Sequence, residues 1–262
     1  MHADVARLDL RLRRRSMAWY TAGMGVYALL IVAMYPTVAS DTTLESLTSS
    51  NPKVMALLGV AGSLTSPVGW VSGNLYANFL PLIMLLLTVG YGASSLAGQS
   101  EDGTLGLVAT LPISRQKLVL QKAFVLVLVA LPLAVVTAAC VVAGRHYDLD
   151  LAVGPLLGTT AAVLLLGVDF GLLALFLGVA SGSRGLAIGV ASALAAASYL
   201  VGSLTPVVHW AHALRWASLF HWAVGADQLT RGPSPTAWVV LVLVGAGLLG
   251  GALATVHRLD IR

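Results

Sequence analysis

Apolar and polar positions in this chain segregate over lengths of whole helices. Six apolar runs stand out, approximately Ser16–Tyr35, Asn74–Ala97, Leu118–Ala143, Gly154–Ser181, Leu186–Val208 and Pro235–Val256. Each is close to or above the ~20 residues a helix needs to cross a bilayer core. Backbone in lipid must satisfy its own hydrogen bonds, so every run is expected to be helical. The pattern predicts an all-α polytopic membrane protein, one transmembrane domain over residues 1–262 with six spans. Polar stretches separate the runs. Residues 1–15 set Val5, Leu8 and Leu12 on one helical face with arginines around the rest, the pattern of a helix lying in the membrane interface. Residues 36–73 form a Ser/Thr/Gly-rich loop, with short helices expected near Thr42–Leu47 and Val54–Val60. Residues 203–234 hold Trp210, Trp216 and Trp222, and short helices are expected there before span six.

Composition supports the lipid reading. The chain is 58% hydrophobic and 10% charged, against about 25% charged in soluble domains. The single cysteine, Cys140, excludes a disulfide within the chain and a cysteine-based metal site. The net charge of +4 sits at the ends of apolar runs, which argues for membrane topology and against nucleic acid. With the N-terminus in the cytoplasm, Arg7, Arg11, Arg13, Arg14, Arg15, Arg115, Lys117, Lys122, Arg184, Arg258 and Arg262 lie inside. Lys53, Arg145, Arg215 and Arg231 lie outside. That asymmetry follows the positive-inside rule and puts both termini in the cytoplasm. The run from Met17 to Tyr35 is longer than a signal-peptide core, so it is expected to remain as span one.

The segment 98–117 between spans two and three is unusual for so apolar a chain. Ser100 or Asp102 is placed to cap a short helix, with Glu101 and Asp102 at its positive end. Leu105, Val108 and Ala109 form an apolar face, and Pro112 ends the element. Ser114 then caps span three, whose start carries Arg115, Lys117 and Lys122. The expected product is a helix roughly parallel to the membrane, joined by a stiff turn to a span.

Other candidate chemistry is sparse. Asp169 is the only acid deep in a span, roughly 18 Å from the end of its run at ~1.5 Å per residue. An intramembrane acid is read first as functional, here on a substrate path or as a proton site. Phe79, Met84 and Tyr91 on span two are candidates to line a substrate path or, equally, to meet lipid or a neighbouring helix. Gly185 and Gly189, continued by Ala193 and Ala197, and Gly247 and Gly251 mark small-residue seams where helices can approach closely. His209, His212 and His221 lack a completing carboxylate apart from Asp227, so they read as interfacial residues beside Trp, and no metal is expected. No phosphate-binding Gly-x-x-x-x-Gly-Lys motif occurs, so no ATP site is expected in this chain.

The segment resembles the coupling region of the type-2 ABC transporter permease family. The family pattern is an acid, Gly-Thr-Leu-Glu-Leu-Leu, Ala-Thr-Pro-Ile-Ser-Arg and a Lys. This chain has Glu101, Gly103-Thr104-Leu105-Gly106-Leu107-Val108, Ala109-Thr110-Leu111-Pro112-Ile113-Ser114-Arg115 and Lys122. Gly106 replaces the usual acid, and Leu111 is an extra residue before the proline. The resemblance implies a permease subunit without catalysis of its own. It implies an ABC ATPase present in two copies, carrying ATP and Mg, and docking at Glu101, Asp102, Gly103, Thr104, Leu105, Val108, Pro112, Ser114 and Arg115. It further implies a second permease half, identical or paralogous, and outward export across a bacterial cytoplasmic membrane. A hydrophobic or cationic drug, lipid or peptide is the expected cargo. The alternative is a proton- or sodium-coupled secondary transporter built on Asp169.

Overall fold

The computed structural model describes residues 4–40, 46, 63–98, 114–205, 208, 213–225 and 228–256. Its elements are helices throughout, and the described residues include no strand. We label them α1 (Asp4–Ala39), α2 (Pro67–Val71), α3 (Phe79–Ala93), α4 (Arg115–Ala143), α5 (Val153–Ser181), α6 (Arg184–Leu204), α7 (Leu219–Ala223), α8 (Gln228–Arg231) and α9 (Pro235–Thr255). A π-helical turn, Ser72–Tyr76, follows α2, and another, Ser94–Gly98, follows α3. Six helical stretches are long and apolar enough to cross a membrane, in agreement with the six runs in the sequence.

Serine starts most of these helices for one reason. The first turn of a helix leaves amide donors without partners, and a serine oxygen can accept from one. Ser114 accepts from Lys117 N and opens α4, as the sequence predicted. Ser183 does the same for α6, Ser218 for α7 and Ser234 for α9. Gly182 closes α5 at φ 66°, a left-handed conformation that suits a residue with no Cβ. The two-residue turn to α6 is therefore sharp. The basic N-terminal stretch is helical, and it forms the first turns of α1 in unbroken continuity with span one. At 1.5 Å per residue α1 measures roughly 54 Å, well beyond a ~30 Å core.

Helix α5 is the centre of the bundle. Every residue from Leu166 to Leu172 is buried. It touches α3, α4, α6, α7, α8 and α9. The closest approach is to α3, where Gly92 lies against the backbone carbonyl of Gly171, and no side chain fits between them. The buried Tyr76 and Thr160 hydroxyls share a hydrogen bond of 2.7 Å at the other end of the same seam. Helices α6 and α9 lie at the periphery. Only Ala187, Ala191 and Ala195 of α6 are buried, and in α9 only Ala237, Leu241, Gly245 and Ala252.

Those alanines bear on the expected seams. In α6 the face that packs within the chain is Ala187, Ala191 and Ala195, while Gly185 and Gly189 have open space where a Cβ would go. Both stripes have four-residue spacing, and only the fold distinguishes them. In α9, Gly247 also faces open space, whereas Gly251 lies against the Phe176 ring.

Candidate functional site

The expected docking residues Glu101, Asp102, Gly103, Thr104, Leu105, Val108 and Pro112 lie outside the described residues. So do the histidines His209 and His212, and the short helices expected at Thr42–Leu47 and Val54–Val60, apart from Ser46. What is described is the pair of roots from which that docking segment springs. One root is the end of α3 with its π-helical turn to Gly98. The other is Ser114 and the first turns of α4, where Arg115 and Lys117 are exposed.

A polar cluster ties both roots to α1. Lys122, two turns into α4, is 1% exposed, and its ammonium donates to Asp9 Oδ2 at 2.6 Å. Tyr91 on α3 donates its hydroxyl to the same oxygen at 3.1 Å. Arg13, one turn beyond Asp9, donates to Ser94 Oγ at 2.7 Å and lies over the Tyr91 ring at 4.6 Å. Ser94 Oγ donates onward to Gly90 O at 2.6 Å. Three helices meet here through charge-assisted hydrogen bonds, which are short and strong because one partner is ionised. Withdrawing one member would strand a buried charge, at a cost of about 3–5 kcal/mol.

Lys122 stood out in the sequence as a cation at the start of a span. Asp9 did not. The only signal was its four-residue spacing from Arg13, which puts the two on one helical face among outward arginines. Of the span-two candidates, Tyr91 bonds into this cluster, and Met84 is buried against Gly167 of α5.

Asp169 is buried to 1% exposure in the middle of α5 and faces α9. Its Oδ1 lies where a Cβ on Gly245 would be, at 2.6 Å, so Gly245 makes the room for this carboxyl. Its Oδ2 has no hydrogen-bond partner among the described residues.

A separate apolar groove of about 470 Å³ runs between α3 and α6. Phe79, Leu82, Leu86, Ile188, Ser192 and Tyr199 are among its lining residues. Leu82 and Leu86 are about half exposed, so the groove opens on the surface of the chain. At one end the Tyr199 hydroxyl donates to Asn78 Oδ1 at 2.6 Å. Of the span-two candidates only Phe79 lines this groove, and Asp169 does not.

The end of the bundle away from the cluster carries an aromatic patch. Arg215 lies over Trp216 at 4.6 Å, and Trp216, His221 and Trp222 contact each other with ring centroids 5.2–5.9 Å apart. Burial first, then the neighbouring Arg215 cation, push the His221 pKa below its ordinary value. A neutral imidazole at neutral pH follows, suited to packing beside tryptophan. No group of three or more His, Cys, Asp or Glu side chains able to hold a metal occurs among the described residues.

Residues 3–223 match the family model for the ABC-2 family transporter protein. No curated protein matches the chain. The match spans well over half of the sequence and five of the six spans. The chain therefore belongs to the ABC-2 transporter family, whose members associate with an ABC ATPase subunit, and is the membrane permease subunit of an ABC transporter.

Proposed function

We propose that this permease is the membrane half of an exporter for an apolar or lipophilic cationic substrate, driven by two copies of a separate ABC ATPase that hold ATP and Mg. The observation that carries this reading is the groove between α3 and α6. It is apolar, open at the chain surface, and of a size suited to small lipophilic molecules, with Asn78 and Tyr199 as polar groups to orient a ligand. Residues advance by about 100° around a helix. On α6 the groove face, Ile188 and Ser192, is therefore flanked by the open stripe Gly185, Gly189, Ala193 and Ala197. A second permease half, identical or paralogous, closing on that stripe would roof the groove. The docking segment, Glu101 to Arg115, receives the ATPase, and the Asp9–Lys122–Tyr91 cluster joins its two roots to α1. Both termini lie in the cytoplasm of a bacterial cell.

The test uses the complex in proteoliposomes with a fluorescent lipophilic cation. Ser192→Trp, which fills the groove from its exposed side, lowers ATP-dependent dye accumulation at least tenfold while ATP hydrolysis persists. Unchanged accumulation would remove the groove from the path. Glu101→Lys lowers ATPase binding in the same preparation.

A second reading rests on Asp169, whose Oδ2 has no hydrogen-bond partner among the described residues: coupling to a proton or sodium gradient. It requires dye movement under an imposed gradient without ATP, abolished by Asp169→Asn.

A further inference from the structure

The first turns of α1 have two faces with different fates. Asp9 and Arg13 turn inward to the polar cluster, followed by Tyr20 and the buried Met24. The opposite face presents Arg11, Arg14 and Arg15, all exposed, with Trp19 79% exposed just above them. The nearest acid on this helix, Asp9, is engaged by Lys122 and cannot neutralise them. None of the three guanidinium groups makes an ion pair or hydrogen bond among the described residues. Three exposed cations thus share one face of α1 with no counterion among the described residues.

Depth decides what can supply one. Span one, counted back from Tyr35, fills a ~30 Å core by about Ser16. Arg11, Arg14 and Arg15 then stand at the level of the lipid headgroups, and Trp19 lies about one turn deeper, where an indole favours the interface. Among the described residues this face looks away from the bundle, so lipid headgroups at this level can reach it.

We propose that Arg11, Arg14, Arg15 and Trp19 form a binding site for the headgroup of an anionic phospholipid. The guanidinium groups pair with the phosphodiester and a second anionic or hydroxyl-bearing group, and the indole packs along the upper acyl chains. The ligand sits on the back of the helix whose front carries the Asp9–Lys122 pair, so a bound lipid fixes the register of α1 against α3 and α4. The site is independent of substrate and of the ATPase reading.

The purified full-length chain in uncharged detergent micelles is titrated with fluorescent phosphatidylglycerol and, separately, fluorescent phosphatidylcholine. Each arginine near a membrane surface contributes about fivefold in affinity, so Arg11→Gln/Arg14→Gln/Arg15→Gln binds phosphatidylglycerol roughly a hundredfold more weakly than wild type. Phosphatidylcholine binding stays the same. The single variant Arg14→Gln loses about fivefold at an unchanged thermal midpoint, which separates ligand loss from unfolding. Arg231→Gln, at an exposed arginine closing α8, binds like wild type. Equal phosphatidylglycerol affinity in Arg14→Gln and wild type overturns the proposal, as does parallel loss for both lipids.

Discussion

At the residue scale, the Asp9–Lys122 pair shows how one acid determines what a cation does. Arg11, Arg14 and Arg15 remain on the surface, while Lys122 is drawn into the bundle to Asp9, whose carboxylate also accepts from Tyr91. A buried pair of this kind is costly to break and cheap to replace as a unit, since both charges leave water together. Lys122→Met alone leaves Asp9 without its cation and lowers stability by about 3–5 kcal/mol. Asp9→Leu/Lys122→Met recovers most of that loss. Thermal unfolding of the two variants in nanodiscs measures the difference. A double variant no more stable than the single one would mean that packing, and not charge, holds α1 in place.

At the element scale, contact between α3 and α5 is set by glycine. Gly92 brings α3 onto the carbonyl of Gly171, and Gly167 receives Met84 one turn away. A larger residue at Gly92 meets backbone, which cannot rotate aside. Gly92→Leu is expected to destabilise the bundle by about 1–3 kcal/mol or more through overpacking, read as a lower unfolding midpoint and loss of a monodisperse peak in detergent. Gly185→Ala, with open space at its Cβ, is expected to leave the isolated chain unchanged in the same assay. Four-residue spacing of small residues was legible in the sequence at both α6 and α9. Which stripe packs within the chain was not, because two stripes on opposite faces of α6 carry the same spacing and similar residues. The difference comes from α5 and α7, which cover one face of α6 and leave the other open.

At the scale of the whole molecule, burial is lopsided. Helices α3 and α5 are largely buried, while α6 and α9 contribute one narrow buried stripe each. A chain with two such spans presents a broad apolar surface, which either lipid or a second half must cover. Identical halves meeting on the α6 stripe would bring two copies of residue 189 together. In a Cys140→Ala background, Gly189→Cys is then expected to yield a cross-linked species of twice the chain mass under mild oxidation of native membranes. A chain that remains monomeric at every oxidant concentration, while a cysteine elsewhere on α6 cross-links, would move the contact off this stripe.

Span number, span limits to within seven residues, the Ser114 cap and the family were decided by the sequence alone. The reason is that lipid imposes length and composition on a span whatever it packs against, and a helix start needs its acceptor locally. The long-range pairings were decided only by the tertiary structure. Asp9 reads as one acid among arginines until α3 and α4 bring Tyr91 and Lys122 to it. Asp169 reads as an acid within a span, and the packing adds that it faces Gly245 of α9. The groove between α3 and α6 has no signature along the chain, because its walls come from segments a hundred residues apart. Pattern records what each residue needs from its own helix and from lipid, and the packing of one helix on another supplies the rest.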